Sequence, residues 1–188
     1  SLIIGYAQQG LGEEALNSYL RMREEGLSPD SITFACMLKV CGSLGFIEMG
    51  EEIHEEIRKQ RLLGKDFVLG TALVDMYAKC GLIEKAQEVF DEVELNDACS
   101  WTALISGYVQ QGLYDEALIC FSQMKDLGLS PDSFTFACIL KACSSNICFL
   151  KKGEEIHAEI SNKKGLLENN LALGNALVDM YAKCGAII

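Results

Sequence analysis

The stretch ALVDMYAKCG occupies residues 72–81 and returns unchanged at residues 176–185, an offset of 104 positions. Aligning residues 5–39 with residues 107–141 gives 22 identities in 35 positions. Ten consecutive identities inside one chain indicate a duplication, so the sequence is a unit of roughly one hundred residues written almost twice. Such periodicity predicts a stacked array in which no single repeat buries its own apolar face.

Two further motifs recur at nearly the same spacing. GEEIH begins at Gly50 and again at Gly153, an offset of 103, and GLSPD begins at Gly26 and again at Gly128, an offset of 102. The drift between offsets indicates single-residue insertions, which surface loops tolerate best.

A shorter repeat lies inside each long unit and has the pattern of a helical hairpin. In the best example, a first helix is predicted near residues 100–111, and Gly112 suits the left-handed residue that ends it. A second helix is predicted from about Tyr114, because Ala117 and Phe121 follow each other at helical spacing on an apolar stripe. Each short repeat is therefore expected to form two antiparallel helices.

The sequence SPD, at residues 28–30 and 130–132, marks the ends of two repeats. Proline disfavours a helix for the residue before it, and Asp30 and Asp132 can cap the helix that follows. Neither end of the chain carries a polar capping repeat, so we expect an excerpt from a longer array. The predicted repeats are 1–30 (partial), 31–66, 67–97, 98–132, 133–170 and 171–188 (partial).

The net charge is −11, from 27 acidic and 16 basic residues. This balance argues against a protein held to nucleic acid chiefly by phosphate neutralisation, and it favours a protein-binding helical scaffold. Base stacking and hydrogen bonds to base edges need little net positive charge if basic residues line the groove, so nucleic-acid binding stays open. A map of surface charge along the first helices of the repeats discriminates between the two.

The composition and motifs predict no enzyme, no metal site, no cofactor and no membrane span. His54-Glu55-Glu56 and His157-Ala158-Glu159 match the H-x-E fragment of zinc deaminases, but no two of the 9 cysteines are three residues apart as that site requires. A packing role is favoured for both histidines. The cysteines are expected to be small core residues in a reducing compartment.

Three longer signatures carry a family resemblance. They are WTALISGYVQQGLYDEALICFSQMKDLGLSPD at residues 101–132, FTFACILKACSS at residues 134–145 followed by GEEIH, and LGTALVDMYAKCGLIEKAQEVFDEV at residues 69–93. The sequence resembles the pentatricopeptide repeat family, specifically its plant organellar subclass in which standard (P), long (L) and short (S) motifs alternate. In chain order the repeats resemble P, L, S, P, L and S. The tetratricopeptide family has similar hairpins, but its characteristic pattern is absent.

The resemblance implies an all-α, right-handed superhelical solenoid of helix-turn-helix repeats that binds single-stranded organellar RNA in its concave groove. Arrays of this kind read one base per repeat through two or three side chains. The subclass implies a monomeric fragment of a site-recognition factor for cytidine-to-uridine editing, in a mitochondrion or plastid, with editing-complex proteins as further partners. Any deaminase domain would lie outside these residues.

The resemblance also implies which residues read bases. The reading pair is a residue in the first turns of the first helix and the last residue of the same repeat, which gives Thr102 with Asp132 and Thr71 with Asp97. Both pairs imply a guanine preference. Asn175 resembles a pyrimidine-directed reader whose partner lies beyond residue 188, and Asp30 is the second member of a pair that begins before residue 1.

In the long repeats, Ala35 and Ala137 occupy the reading position opposite Asp66 and Asn170. Alanine has no hydrogen-bonding side chain, so these repeats are expected to act as spacers.

The resemblance further assigns base-sandwiching to Val68 and Cys99, and phosphate contacts to Lys79 and Lys183. Each role has a simpler alternative: the aspartates are also plausible helix caps, the threonines also suit a tolerant helix face, and the lysines are also plausible solvated side chains.

Overall fold

The computed structural model describes residues 2–64, 66–94, 97–163, 165–168 and 170–185. Within these residues the chain forms eleven α-helices, one short 3-10 helix at Ile147–Phe149 and no β-strand. The α-helices are α1 Leu2–Gln8, α2 Gly12–Glu24, α3 Ser31–Leu44, α4 Ile47–Lys59, α5 Phe67–Lys79, α6 Ile83–Glu92, α7 Ala98–Gln110, α8 Tyr114–Asp126, α9 Ser133–Cys143, α10 Leu150–Asn162 and α11 Leu171–Lys183.

The helices form two compact blocks, Ser1–Asn96 and Asp97–Ile188, which correspond to the two copies of the duplicated unit. In the N-terminal block α1, α3 and α5 pack side by side, and each is followed by an antiparallel partner, α2, α4 or α6. In the C-terminal block α7, α9 and α11 pack side by side, with α8 and α10 as partners. We call the odd-numbered helices A helices and the even-numbered ones B helices.

The hairpin expected between residues 100 and 126 is present, with small changes at its ends. Helix α7 ends at Gln110 and Gly112 has a φ of +75°, the left-handed conformation expected of it. Helix α8 begins at Tyr114, as predicted. Helix α7 begins two residues before the expected start, because the Asp97 carboxylate accepts the backbone N–H groups of Cys99 and Ser100.

The last residue of each predicted repeat caps the next A helix. Asp30 and Asp132 were predicted as caps, and each accepts a backbone N–H at 2.8 Å, from Thr33 and Thr135 respectively. The sequence analysis did not predict the three remaining caps of the same kind. These are Asp66 with the N–H of Val68, Asp97 with those of Cys99 and Ser100, and Asn170 with that of Leu173.

The two duplicated motifs GEEIH and DMYAKCG pack against each other where a long repeat meets a short one. A methyl group on Gly50 would lie 2.7 Å from Sδ of Met76, so helix α4 approaches α5 closely only because Gly50 has no side chain. One turn further along α4, His54 Nδ1 lies 2.9 Å from Tyr77 Oη.

The C-terminal block repeats this arrangement. Gly153 lies against Met180 with the same 2.7 Å clearance for an added methyl group, and His157 Nδ1 is 2.9 Å from Tyr181 Oη. The histidines therefore have the packing role favoured by the sequence. GEEIH and DMYAKCG form the two sides of one contact, which explains why both motifs are kept in each copy of the duplicated unit.

A weaker sulfur contact joins neighbouring A helices at the same junctions. The thiol of Cys80 donates to the carbonyl oxygen of Cys41 at 3.8 Å, and Cys184 donates to that of Cys143 at 3.6 Å. Burial raises the pKa of Cys41 and of Cys143 to about 12, so both stay protonated at neutral pH. Buried, protonated thiols behave as small apolar groups, so Cys41 and Cys143 fit the expectation from sequence. Cys36 and Cys138 are only half-buried, and Cys99 and Cys148 are exposed, so the expectation does not hold for every cysteine.

Helices α3 and α5 approach most closely at Gly42, where an added methyl group would lie 3.1 Å from Cα of Met76. We predict that Gly42→Ala lowers the free energy of unfolding by about 1–2 kcal/mol, because a backbone atom moves less readily than a side chain. Urea unfolding followed by circular dichroism measures the change.

Gly174→Ala is the matched control. It lies in A helix α11, and a methyl group there would meet no atom of the described residues within 4 Å. This substitution is expected to raise the free energy of unfolding by about 0.5–1 kcal/mol, because alanine loses less backbone freedom on helix formation. Equal effects of the two substitutions would contradict the close approach of α3 and α5.

His54 predicts a pH dependence of stability. Burial, assisted by the nearby Arg58 charge, lowers the pKa of His54 below its ordinary 6.5, so protonation favours the unfolded chain and stability decreases as the pH falls below that value. We expect the free energy of unfolding to fall between about pH 7.5 and pH 5.5, and His54→Asn to reduce this dependence. An unchanged slope in the variant would show that other groups cause it.

Candidate nucleic-acid interface

An apolar side chain at the second position of the A helices faces solvent. Ile32 is 61% exposed, Val68 is 66% exposed and Phe134 is 56% exposed, and the smaller Cys99 is also exposed. These are equivalent positions on four A helices, two in each block, and Phe67 on α5 and Leu44 on α3 are exposed as well. The sequence analysis named Val68 and Cys99 but missed Ile32 and Phe134, although both directly follow the first residue of a capped helix.

Thr102 and Asp132 are brought together through a third residue that the sequence analysis did not name. Thr102 Oγ1 lies 2.7 Å from Oγ1 of Thr135, which donates to Oδ1 of Asp132 at 2.7 Å. Thr102 is half-buried, Asp132 is exposed and Thr135 has no exposed surface. The C-terminal block therefore presents the two predicted reading groups as parts of one hydrogen-bonded chain.

The other predicted reading residues lie on A helices or at their caps. Thr71 is half-buried on α5, and its hydroxyl donates to the carbonyl oxygen of Phe67 at 3.0 Å. Its predicted partner Asp97 caps α7 in the C-terminal block, and their pairing stays a prediction. Asn175 is exposed on α11. Asp30 accepts from both the N–H and the hydroxyl of Thr33, and these bonds hold its pKa below the usual value.

The two lysines predicted to contact phosphates have partners within the protein. Lys79 Nζ lies 2.6 Å from Asp75 Oδ2, and Lys183 Nζ lies 2.7 Å from Asp179 Oδ2, one helical turn away in each case. Both ion pairs are partly exposed, so their net contribution to stability is small. A phosphate at either lysine would compete with the aspartate.

Lys39 and Lys141 carry ammonium groups for which no neighbouring carboxylate among the described residues competes with a phosphate. Both are exposed on A helices of the long repeats, and neither has a carboxylate oxygen within 4 Å in the described ranges. Lys39 follows Ile32 by seven residues and Lys141 follows Phe134 by seven, which places each pair on one helix face. The sequence analysis overlooked these lysines because the resemblance directed attention to the ends of the A helices.

The charge of the molecule is divided unevenly between the two kinds of helix. The five B helices contain 18 acidic and 8 basic residues, a net charge of −10. The A helices contain two acidic and four basic residues, a net charge of +2. The four aspartates that cap A helices, Asp30, Asp66, Asp97 and Asp132, lie just outside these bounds and bring the net charge to −2, which is still far less negative than that of the B helices. The overall charge of −11 therefore does not exclude an anionic ligand on these faces.

No described helix combines the length and apolar character needed to span a bilayer. Within the described residues, no cluster of three histidine, cysteine, aspartate or glutamate side chains has the arrangement of a metal site.

Comparison with known families identifies the repeats. A model described as the PPR repeat family matches residues 96–145, one described as the pentatricopeptide repeat domain matches residues 1–43, and one described as the PPR repeat matches residues 32–62 and 71–97. These matches extend over most of both copies of the duplicated unit.

Curated proteins of Arabidopsis thaliana are similar along the chain. A pentatricopeptide repeat-containing protein named as chloroplastic is 38% identical over 187 residues, which cover 100% of this chain and 34% of the relative. Another, named as mitochondrial, is 36% identical over 187 residues and is covered to 18% of its length. The chain thus spans about a third or less of these two relatives.

Solved structures share the fold. The crystal structure of the pentatricopeptide repeat protein PPR10 from maize matches 98% of this chain and 26% of its own, with a TM-score of 0.72 and 23% sequence identity. A crystal structure of PPR10 in complex with an 18-nt psaJ RNA element matches 97% of this chain and 27% of its own, with a TM-score of 0.77 and 23% identity. The expected all-α solenoid of helix-turn-helix repeats is confirmed, and the chain belongs to the pentatricopeptide repeat family.

Proposed function

We propose that this chain binds single-stranded RNA along the exposed faces of its A helices. The observation that carries the proposal is the difference in charge: the A helices together with their four capping aspartates have a net charge of −2 and the B helices −10. The B helices repel an RNA strand strongly, whereas the A helices repel it much less. The RNA complex of PPR10, a protein of the same fold, supports this choice of ligand.

The exposed side chains suit the recognition of unstacked bases. Ile32, Val68, Cys99 and Phe134 offer apolar surface against which a base can pack. Base faces stack without regard to sequence, whereas hydrogen bonds to base edges discriminate between bases. Thr102, about one turn after Cys99, supplies a polar group where such an edge would lie.

We further propose that each standard or short repeat reads one base. Thr102 with Asp132, and Thr71 with Asp97, then select guanine, and Asn175 selects a pyrimidine. Ala35 and Ala137 leave the long repeats without a reading hydroxyl, so these repeats act as spacers that contribute Lys39 and Lys141 to phosphate binding.

The alternation of standard, long and short repeats supports a role as a fragment of a site-recognition factor for cytidine-to-uridine editing. In this role the protein acts as a monomer with editing-complex proteins as partners. Any deaminase domain would lie outside the residues of this chain. Relatives named as chloroplastic and mitochondrial support a location in one of these organelles. The fragment itself binds and does not catalyse.

The acidic B helices favour a second candidate function, a scaffold for a basic protein. Ion pairs such as Arg58 with Glu92 at 2.6 Å, and Arg23 with Glu52 at 3.3 Å, occupy only some of the B-helix carboxylates. The two functions use different faces. A scaffold without an RNA role predicts that substitutions on the A helices leave every interaction unchanged.

Thr102→Asn tests base reading. We expect the preference at one nucleotide to move from guanine toward uracil by about tenfold, because an amide carries both a donor and an acceptor. Affinities for RNAs that differ only at that nucleotide measure the change. Ser122→Asn, at an exposed position of B helix α8, is the control, and an unchanged preference in the Thr102 variant would contradict base reading.

Lys141→Gln tests the phosphate contact. The slope of log affinity against log salt concentration is expected to become less negative by about 0.7, the value for one phosphate contact with a single strand. Lys125→Gln on α8 is the matched control, since Lys125 pairs with Glu159 on the neighbouring B helix. Equal slopes for wild type and the Lys141 variant would remove Lys141 from the interface.

A further inference from the structure

Thr135 lies at the centre of the candidate reading site without facing the ligand. It has no exposed surface, and its Oγ1 lies 2.7 Å from Asp132 Oδ1 and 2.7 Å from Thr102 Oγ1. Its backbone N–H donates to the same carboxylate oxygen at 2.8 Å. Because Thr135 is buried, water does not compete for these bonds.

The positions of the hydroxyl protons follow from counting donors. Asp132 Oδ1 accepts the Thr135 N–H. Because an ionised carboxylate oxygen has no proton to donate, the Thr135 hydroxyl donates its one proton to that oxygen as well. Thr135 Oγ1 can then only accept from Thr102, and the Thr102 hydroxyl donates its own proton inward. Thr102 Oγ1 is left with lone pairs alone for a ligand.

The reading pair therefore presents two adjacent acceptors, Thr102 Oγ1 and the Asp132 carboxylate. An ionised carboxylate accepts but does not donate. Guanine is the RNA base that offers two adjacent donors on its Watson–Crick edge, N1–H and the N2 amino group. Adenine has one donor beside one acceptor there, uracil has one donor between two acceptors, and cytosine has one donor followed by two acceptors. Each of these bases therefore leaves at least one acceptor of the pair facing another acceptor, which is unfavourable.

Comparison between repeats of this chain supports a link between the two positions. Where the reading position is threonine, the third residue of the following repeat has a hydroxyl: Thr102 is followed by Thr135, and Thr71 by Ser100. Where the reading position is alanine, that residue is leucine: Ala35 is followed by Leu69, and Ala137 by Leu173. The correlation is one of residue type, because the Ser100 hydroxyl donates to the backbone carbonyl of Asp97 at 2.8 Å, whereas that of Thr135 donates to the Asp132 carboxylate.

We propose that Thr135 is a positioning residue that sets the donor and acceptor sense of the Thr102–Asp132 pair and thereby its selectivity for guanine. The inference rests on the proposed function, because it concerns how the same site chooses among bases. Without the Thr135 hydroxyl, the Thr102 O–H loses its inward acceptor and can turn to donate to a base. The Thr102–Asp132 pair can then also bind bases whose Watson–Crick edge has a donor beside an acceptor.

The test compares Thr135→Val with wild type and with Thr135→Ser. Each protein selects from a random single-stranded RNA library about ten nucleotides long, enough for the one base per repeat expected of this chain. The Thr102→Asn variant identifies the nucleotide that Thr102 contacts. There the wild type is expected to enrich guanine, Thr135→Val to reduce that enrichment about tenfold, and Thr135→Ser to retain it.

Thr33→Val is the matched control for loss of a capping contact. Thr33 bonds to Asp30 as Thr135 does to Asp132, at 2.8 Å from its N–H and 2.6 Å from its hydroxyl, but its reading position would precede residue 1. This variant is expected to keep the guanine preference at the Thr102 nucleotide. Thermal unfolding of all the variants measures any loss of stability.

The outcomes separate the inference from the proposed function. Undiminished guanine enrichment by Thr135→Val would overturn the role of Thr135 while leaving RNA binding intact. Equal loss at every nucleotide, together with a lower unfolding temperature, would show that Thr135 is only structural. If the wild type enriches no RNA sequence, the proposed function fails, and the inference fails with it.

Discussion

The N-terminal cap of each A helix is the constraint on which the rest of the structure depends. At every described repeat boundary an aspartate or asparagine side chain accepts a backbone N–H from the first turn of the next helix. This bond fixes the residue at which the helix starts, and the 3.6-residue period then fixes which side chains face outward. The exposure of Ile32, Val68 and Phe134 and the placement of Thr102 follow from that start.

The capping carboxylates are available for a second, proposed role in base reading. A cap uses one carboxylate oxygen to satisfy a helix N–H that would otherwise have no partner. In Asp132 the capping oxygen also accepts the Thr135 hydroxyl, which links the cap to Thr102 on the preceding A helix. Capping and the proposed base reading are thus compatible uses of one side chain, and both alternatives were left open by the sequence.

Packing between long and short repeats explains why certain motifs are duplicated so faithfully. Gly50 makes room for Met76, and His54 bonds to Tyr77 within the same interface. A change in any one of these residues affects a partner more than twenty positions away. The exposed faces carry function under looser constraints, because a substitution there disturbs no packed neighbour.

Charge partition reconciles an acidic protein with an anionic ligand. The net charge of −11 describes the whole chain, whereas a ligand interacts mainly with charges within about one Debye length, roughly 8–10 Å at ordinary salt. The acidic residues are concentrated on the B helices, so an RNA strand on the A helices meets a different field from the one that composition suggests.

The roles of the reading residues stay proposals. The repeat, the helical hairpins and the caps at Asp30 and Asp132 could be predicted from the sequence alone. These features depend on neighbours along the chain, on helical periodicity and on local proline and aspartate chemistry, which a sequence displays directly. Only the tertiary structure decided that Thr135 joins Thr102 to Asp132, that Lys79 and Lys183 are paired, and that His54 bonds to Tyr77. Thr102 and Thr135 are 33 residues apart, and contacts at such separations depend on how helices stack. Even the lysine pairs, one turn apart, depend on rotamers that the sequence does not fix.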